Sequence, residues 1–261
     1  MTKIIAWNVN SVTSRLSHLI LLIEKHNPDI ILLQELKCIT EKFPYDQLDH
    51  LGYNIQVFGQ KSYNGVAILS KCRIEDVKLG MKSYQKNGDA RYIECFVPVN
   101  NRGTVISSVY VPNGGELESE KFAYKLEFLE ALKHHIQDMR KQGMEVIMGG
   151  DFNVAVEDID VYNPGALDGK VCFHPEEKRR FRAILNNGMV DAFRAAHPDQ
   201  QSFSWWDYRA GSWKQNKGMR IDYLLVSPGI ADLINSVDID SSFRNLERPS
   251  DHAPVLLSIS S

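Results

Sequence analysis

Six polar clusters, each placed where an apolar, strand-like run ends, constrain what this chain can fold into. The runs are I-I-A-W before Asn8 and Asn10, I-I-L-L-Q before Glu35, V-I-S-S-V before Tyr110 and Asn113, V-I-M-G-G before Asp151 and Asn153, M-R-I before Asp222, and A-P-V-L-L just after Asp251 and His252. A carboxylate, amide or imidazole at the end of a buried strand is held rigidly at a sheet rim, where several such ends can converge. Six of them in one chain are expected to build one site.

Helical stretches interrupt the strand-like runs, which predicts a mixed α/β layered domain. Residues 12 to 26 place their apolar positions on one face and stop at Asn27-Pro28. A longer helix is expected over 119 to 141, between Gly114-Gly115 and Gly143, and a third over 175 to 187, where Pro175 and Glu176-Glu177 suit a helix N-terminus. A faint echo, W-N-V-N after the first strand and D-F-N-V near residue 152, hints at two similar halves meeting at a shared rim.

No Pro/Gly/Ser-rich linker, charge block or low-complexity stretch divides the 261 residues, so one domain over 1 to 261 is expected. The chain starts with neither a charged leader nor a long apolar segment, which predicts a soluble, intracellular (cytoplasmic) protein with no membrane contact. Cys38, Cys72, Cys95 and Cys172 form no C-x-x-C pair and are expected to be reduced. A net charge of −3 argues against a globally basic coat. Binding of a polyanion would therefore rely on local basic patches and metal ions.

Singly, most of the six clusters are weak. Glu35 reads equally as a helix cap or a surface charge, and Asn8 or Asn10 alone reads as a turn residue. G-G-D-F-N is stronger, because two glycines allow close backbone approach while Asp151 and Asn153 share one face, although a hairpin turn would explain it too. Asp222 alternates with apolar neighbours, so its burial requires a cation, for which His252 is the candidate. His134, His135 and His197 are expected to be solvated.

Taken together with N-G-V-A-I-L-S, V-Y-V-P-N-G, S-W-W-D-Y-R, G-M-R-I-D-Y-L-L-V-S and S-D-H-A-P-V, these residues make the chain resemble the exonuclease III family of abasic-site endonucleases over its whole length, within the endonuclease/exonuclease/phosphatase superfamily. The resemblance implies a four-layer α/β sandwich of the DNase I type, two packed mixed β-sheets with helices on both outer faces. It also implies a Mg²⁺-dependent phosphodiesterase site on the rim, with Mn²⁺ as a substitute. The expected partner is double-stranded DNA with abasic sites or blocked 3′ ends, and the expected state is a monomer.

The same resemblance implies the roles. Glu35, Asp251 and Asn8 would hold the metal, Asn8 directly or by orienting a neighbour. Asp151 would activate water, Asn153 would align it, Asp222 would pair with His252, and Tyr110 and Asn113 would contact phosphate. If a second ion binds, Asp151, Asn153 and His252 would be its ligands. Trp205, Met219 and Ile221 would line a pocket for a flipped-out sugar with no base, with Trp206 packing inward. Arg91 and Lys61 would contact phosphate, whereas K-R-R-F-R at 178 to 182 reads as a solvated face.

There are departures from the family pattern. Asn10 stands where some eukaryotic members carry Asp, and Glu116, Glu118 and Glu120 stand where those relatives place a basic DNA-penetrating residue. The loop at 163 to 177 falls where relatives vary, and could shift the balance between internal cleavage at abasic sites and 3′-end trimming. Two rival readings are a phosphomonoesterase acting on small molecules or lipid headgroups and a catalytically dead nucleic-acid-binding module. Retention of Glu35, Asp151, Asn153, Asp222 and His252 argues against the second.

Overall fold

The computed structural model describes residues 1–81, 84, 88–99 and 102–260. In chain order it contains β1 (Thr2–Asn8), α1 (Leu16–His26), β2 (Ile30–Gln34), α2 (Tyr45–Leu48), β3 (Asn54–Phe58), β4 (Val66–Ser70), β5 (Glu75–Leu79), β6 (Tyr92–Val99), β7 (Arg102–Tyr110), α3 (Glu120–Lys141), β8 (Glu145–Asp151), α4 (Pro164–Leu167), α5 (Pro175–Asn186), β9 (Val190–Asp191), α6 (Ala192–Ala196), β10 (Trp205–Trp206), β11 (Gly218–Met219), β12 (Asp222–Val226), α7 (Pro228–Ala231), β13 (Ile234–Ile239) and β14 (Val255–Ile259).

The strands form two six-stranded sheets, ordered β13-β14-β1-β2-β4-β3 and β5-β6-β7-β8-β12-β9, plus the small β10-β11 hairpin. In each sheet one parallel pair, β1-β2 or β7-β8, lies among antiparallel neighbours and is bridged by a helix, α1 or α3. Read in this order, β1 corresponds to β7 and β2 to β8. The two-halves expectation therefore holds at the level of topology, but the W-N-V-N and D-F-N-V echo pairs β1 with β8, one strand out of step.

The apolar runs are continuous because both faces of each sheet are covered. Ile4, Ala6, Ile30, Leu32 and Ile68 from the first sheet meet Ile93, Ile106, Ile147, Leu224 and Val226 from the second in the central core. The alternate residues Ile5, Trp7, Ile31 and Leu33 pack on Leu19, Leu22 and Ile23 of α1. On the opposite face Val109, Met148, Tyr223 and Leu225 pack on Leu129, Leu132 and Ile136 of α3 and on Phe181 and Ile184 of α5. The result is the four-layer α/β sandwich expected.

Helix ends follow local chemistry. Asn27 closes α1 in the left-handed conformation (φ 48°), with its N–H on the Ile23 carbonyl. The Ser119 side chain caps α3 by accepting from Phe122 N–H. At α5 the expectation holds, with Pro175 and then Glu176 and Glu177 in the first turn; Glu177 is in addition fully buried, and its carboxylate reaches back to the His174 N–H in a capping box. All four cysteines are free thiols. No helix among the described residues is long and apolar enough to cross a membrane.

Gly149 governs how closely the two sheets meet, and Gly150 how closely β8 lies to β7. A Cβ on Gly149 would lie 2.6 Å from Leu32 Cδ1 and 3.1 Å from Ala6 Cβ, both in the opposite sheet. Gly150 has φ 152°, and a Cβ there would lie 2.0 Å from the Val109 carbonyl oxygen. Gly143 also has positive φ, but its Cβ would meet nothing within 4 Å. Urea unfolding of Gly150→Ala is accordingly expected to show a loss of about 3 kcal/mol or more, against about 1 kcal/mol for Gly143→Ala, where backbone strain acts alone.

Candidate active site

The close approach at Gly149 delivers the end of β8 to the ends of β1 and β2. Asn8 is fully buried, and its Nδ2 donates to both Glu35 Oε1 and Asp151 Oδ2, each at 2.9 Å. Its Oδ1 accepts from the Asn10 N–H at 3.0 Å. That bond fixes the amide orientation, with Nδ2 directed at the two acids and Oδ1 at the Asn10 N–H. Glu35 and Asn153 both sit at φ 51°, where the chain swings from strand into rim loop.

Asp151 is buried and accepts from the Asn153 N–H (2.8 Å) and Asn153 Nδ2 (3.2 Å), with His252 Nε2 at 3.7 Å. Burial pushes its carboxyl up to about 7; the His252 charge opposes this, while Asp222 and Glu35 add to it. His252 Nδ1 lies 2.9 Å from Asp222 Oδ2, and Ser204 Oγ donates to that same oxygen at 2.6 Å. Burial disfavours the imidazolium, but Asp222 and then Asp151 outweigh it and raise His252 to about 10. Tyr110, hydrogen-bonded to Glu35, is driven well above the usual tyrosine range, first by burial and then by Glu35 and Asp151. At neutral pH it is a donor.

A pocket of about 160 Å³ is lined by Glu35, Tyr110, Asn113, Asp151, Asn153, Cys172, Trp205, Met219, Ile221, Asp251 and His252. Asn8 and Asp222 stand directly behind it, through the bonds just described. Asp251 accepts from Asn10 Nδ2 (2.8 Å) and Trp205 Nε1 (3.0 Å). Asn10 also accepts from Lys37, which pairs with Glu35 at 2.9 Å, so Asn10 is a bridge between charged groups. Trp205 packs with Met219 and Ile221, whereas Trp206 lies in a separate buried cluster with Phe203 and Ala253, as strand alternation requires.

Glu35, Asp151 and His252 offer ligand atoms that all lie within 4.8 Å of one another. The two carboxylates suit a hard divalent cation, whereas the imidazole, protonated at neutral pH, would have to lose its proton to join them. The raised value of Asp151 comes first from burial, with Asp222 and Glu35 adding to it, and an ion between the acids would offset that added repulsion. Asp251 lines the same pocket but stands outside that three-residue cluster.

Arg91 lies in an adjoining groove with Lys37, Tyr63, Lys121 and Tyr124, its guanidinium 4.8 Å from the Tyr110 ring centroid. Lys61 is exposed, as are Glu116, Glu118 and Glu120. Phe181 of the 178–182 run lies in the core, and the basic residues around it are largely neutralised: Arg179 and Arg180 pair with Glu176, and Arg182 with Glu157. Two histidines depart from expectation. His135 Nε2 lies 2.7 Å from the buried Glu94 and His197 Nε2 2.7 Å from the Val237 carbonyl; of the three, His134 is the exposed one.

Sequence reasoning missed Cys172 and the Lys125–Glu177 ion pair beneath the pocket. The signal was present. Lys125 falls on the apolar stripe Phe122, Leu129, Leu132, Ile136 of α3, and Glu177 on the stripe Phe181, Ile184 of α5. A charge at such a position needs a buried partner.

The sequence profile of the Endonuclease/Exonuclease/phosphatase family matches residues 5–252. The chain belongs to this family. Exodeoxyribonuclease III of Haemophilus influenzae is 33% identical to it over 97% of this chain and 98% of that protein. Among solved structures, a variant of the 3′ phosphatase NExo from Neisseria bound to a product DNA hairpin superposes with a TM-score of 0.96 at 37% identity, covering all of both chains. An AP endonuclease from Archaeoglobus fulgidus gives 0.93 at 36% identity, again over both whole chains. This family member thus shares its exonuclease III-type relatives' fold from end to end.

Because His252 lies above its ordinary 6.5 when folded, its pairing stabilises the protein fully below about pH 6.5, and that contribution fades as pH rises through about 10. In metal-free protein an NMR titration is expected to find the imidazole still protonated at pH 8. In Asp222→Asn, which removes the largest raising charge, its midpoint is expected to fall by at least about one pH unit.

Proposed function

We propose that this chain is a Mg²⁺-dependent DNA-repair nuclease, one domain acting as a monomer inside the cell. Its reaction is hydrolysis of the phosphodiester 5′ to an abasic site, leaving a 3′-hydroxyl, together with removal of nucleotides or blocking phosphates from 3′ ends during base excision repair. The observation that carries this reading is the juxtaposition of the Asp151–Asn153 and Asp222–His252 dyads with the apolar wall of Trp205, Met219 and Ile221 in one small pocket. The first two pairs suit a phosphoester; the wall suits a sugar without a base.

Asp151, held near neutrality and aligned by Asn8 and Asn153, takes the proton from the attacking water. Asn153 and Asn113, joined at 3.0 Å, hold a phosphate oxygen in line with the attack. The His252 imidazolium, kept charged by Asp222, stabilises charge on the transferring phosphoryl group, and the Tyr110 hydroxyl donates to phosphate or to the leaving oxygen. Glu35 and Asp251 would hold Mg²⁺, with Asn8 orienting Glu35; when bound, the ion polarises the phosphoryl oxygen and offsets leaving-group charge.

A second balance of activities is favoured by one observation. The exposed Glu116, Glu118 and Glu120 follow Asn113 after two glycines and would repel duplex phosphates there, which favours work at 3′ ends over incision within a continuous duplex.

A 5′-labelled duplex with one abasic analogue, compared with recessed and 3′-phosphate duplexes in Mg²⁺ and in EDTA, tests both. Mg²⁺-dependent incision at the analogue is expected. Processing of 3′ ends alone would make the protein a 3′-end enzyme, and cleavage of none would send the search to small phosphate esters. Asp151→Asn is expected to lower kcat about 10³-fold with DNA affinity little changed. Recovery of the full rate on raising Mg²⁺ would exclude Asp151 as the base.

A further inference from the structure

We infer that the buried Lys125–Glu177 ion pair is a positioning device that fixes the three pocket loops carrying Asn113, Asn153 and Cys172 around the bound phosphoester. This rests on the phosphoester-cleaving reading above. Both side chains are fully buried, one from α3 and the other from α5. The Lys125 ammonium uses its three N–H donors on Glu177 Oε1, the Asn113 carbonyl (3.0 Å) and the Asn153 carbonyl (2.6 Å). Glu177 in turn accepts from the backbone N–H groups of Cys172 (3.2 Å) and His174 (3.0 Å). Loops following β7 and β8 and the loop preceding α5 are thereby tied to one charge pair.

The backbone at these loops needs such a tie. Asn153 (φ 51°) and Cys172 (φ 70°) both sit in the left-handed region that side chains other than glycine rarely adopt, and such conformations persist only where surroundings over-determine them. The loops also meet face to face in the pocket: Asn113 Nδ2 donates to Asn153 Oδ1 at 3.0 Å, and Cys172 Sγ lies 3.8 Å and 3.9 Å from those two amides. Stability alone does not explain the pair, because well-packed apolar residues of similar volume generally stabilise as much as a buried ion pair. An apolar filler cannot donate to two carbonyls on separate loops.

The test compares wild type with Lys125→Met, Glu177→Asp and the double variant Lys125→Met/Glu177→Gln. Readouts are thermal melting, kcat and KM per folded molecule on the 3′-phosphate and abasic duplexes, and side-chain amide resonances of Asn113 and Asn153. Removing both charges is expected to restore melting relative to Lys125→Met while leaving kcat down about thirtyfold, with KM within about threefold, because reacting groups are misplaced rather than substrate lost. Glu177→Asp keeps the charge and shortens the reach, and is expected to lower kcat about tenfold.

If Lys125→Met does not fold, the other two variants carry the comparison. A double variant with wild-type kcat, or with unshifted Asn113 and Asn153 resonances, would overturn the positioning role. Shifted resonances beside an inactive wild type would support the positioning of the loops and overturn the cleavage reading alone.

Discussion

Everything at the rim depends on how closely the two sheets approach at Gly149. With Leu32 and Ala6 of the first sheet against the missing side chain, the end of β8 is drawn to the end of β1, and Asn8 can bridge Glu35 and Asp151 with two 2.9 Å bonds from one amide. A single methyl group inserted there would press on that separation. The contact also excludes water, so Asp151, Asp222 and His252 are all nearly inaccessible. Charges in such surroundings interact far more strongly than they would on an open surface.

Burial without compensation would be costly, and the compensation is uneven. Asp222 is answered by His252 and Ser204, and Asp251 by Asn10 and Trp205. Glu35 has Lys37. Asp151 has Glu35 and Asp222 near it and shares His252 with Asp222, and burial together with this crowding holds its carboxyl near 7. The pocket is thus short of positive charge where Glu35 and Asp151 converge with the imidazole. A divalent cation would answer that shortage and would also offset the negative charge that an anionic phosphoester brings in.

Much of this was legible in the sequence, for a definable reason. A buried strand announces itself by its apolar run, and the residue that ends it is fixed at the rim whichever way the sheets are ordered, so all six clusters could be named before their partners were known. Cross-chain pairing was less legible. Asp222 and His252 could be matched because each needed the other, whereas Glu177, rightly read as a helix-terminus charge, gave no sign of its buried partner Lys125, on a helix some fifty residues earlier. His135 was misread in the same way, because Glu94 looks like an ordinary outward strand residue until α3 covers it. The loop at 163 to 177 is placed by the sequence only where relatives vary, yet Leu167, Val171, Cys172 and Phe173 pack with Met219 and Ile221, and Cys172 lines the pocket itself.

The topology explains why a site of this kind needs both sheets. Asn8 of β1 bonds Asp151 of β8, Tyr110 of β7 bonds Glu35 after β2, and Asp222 of β12 pairs with His252 before β14. Each contact joins one sheet to the other. Glu35 and Asp151 end corresponding strands of the two halves, β2 and β8, so the two acids meet where the halves face each other, while the Asp222–His252 dyad has no counterpart related to it by the same correspondence. Neither half holds a donor, an acceptor and a charged imidazole in reach of one another by itself. Packing of the sandwich and assembly of the site are therefore one event, and a change that loosens the central core near the rim acts on the chemistry before it acts on the fold.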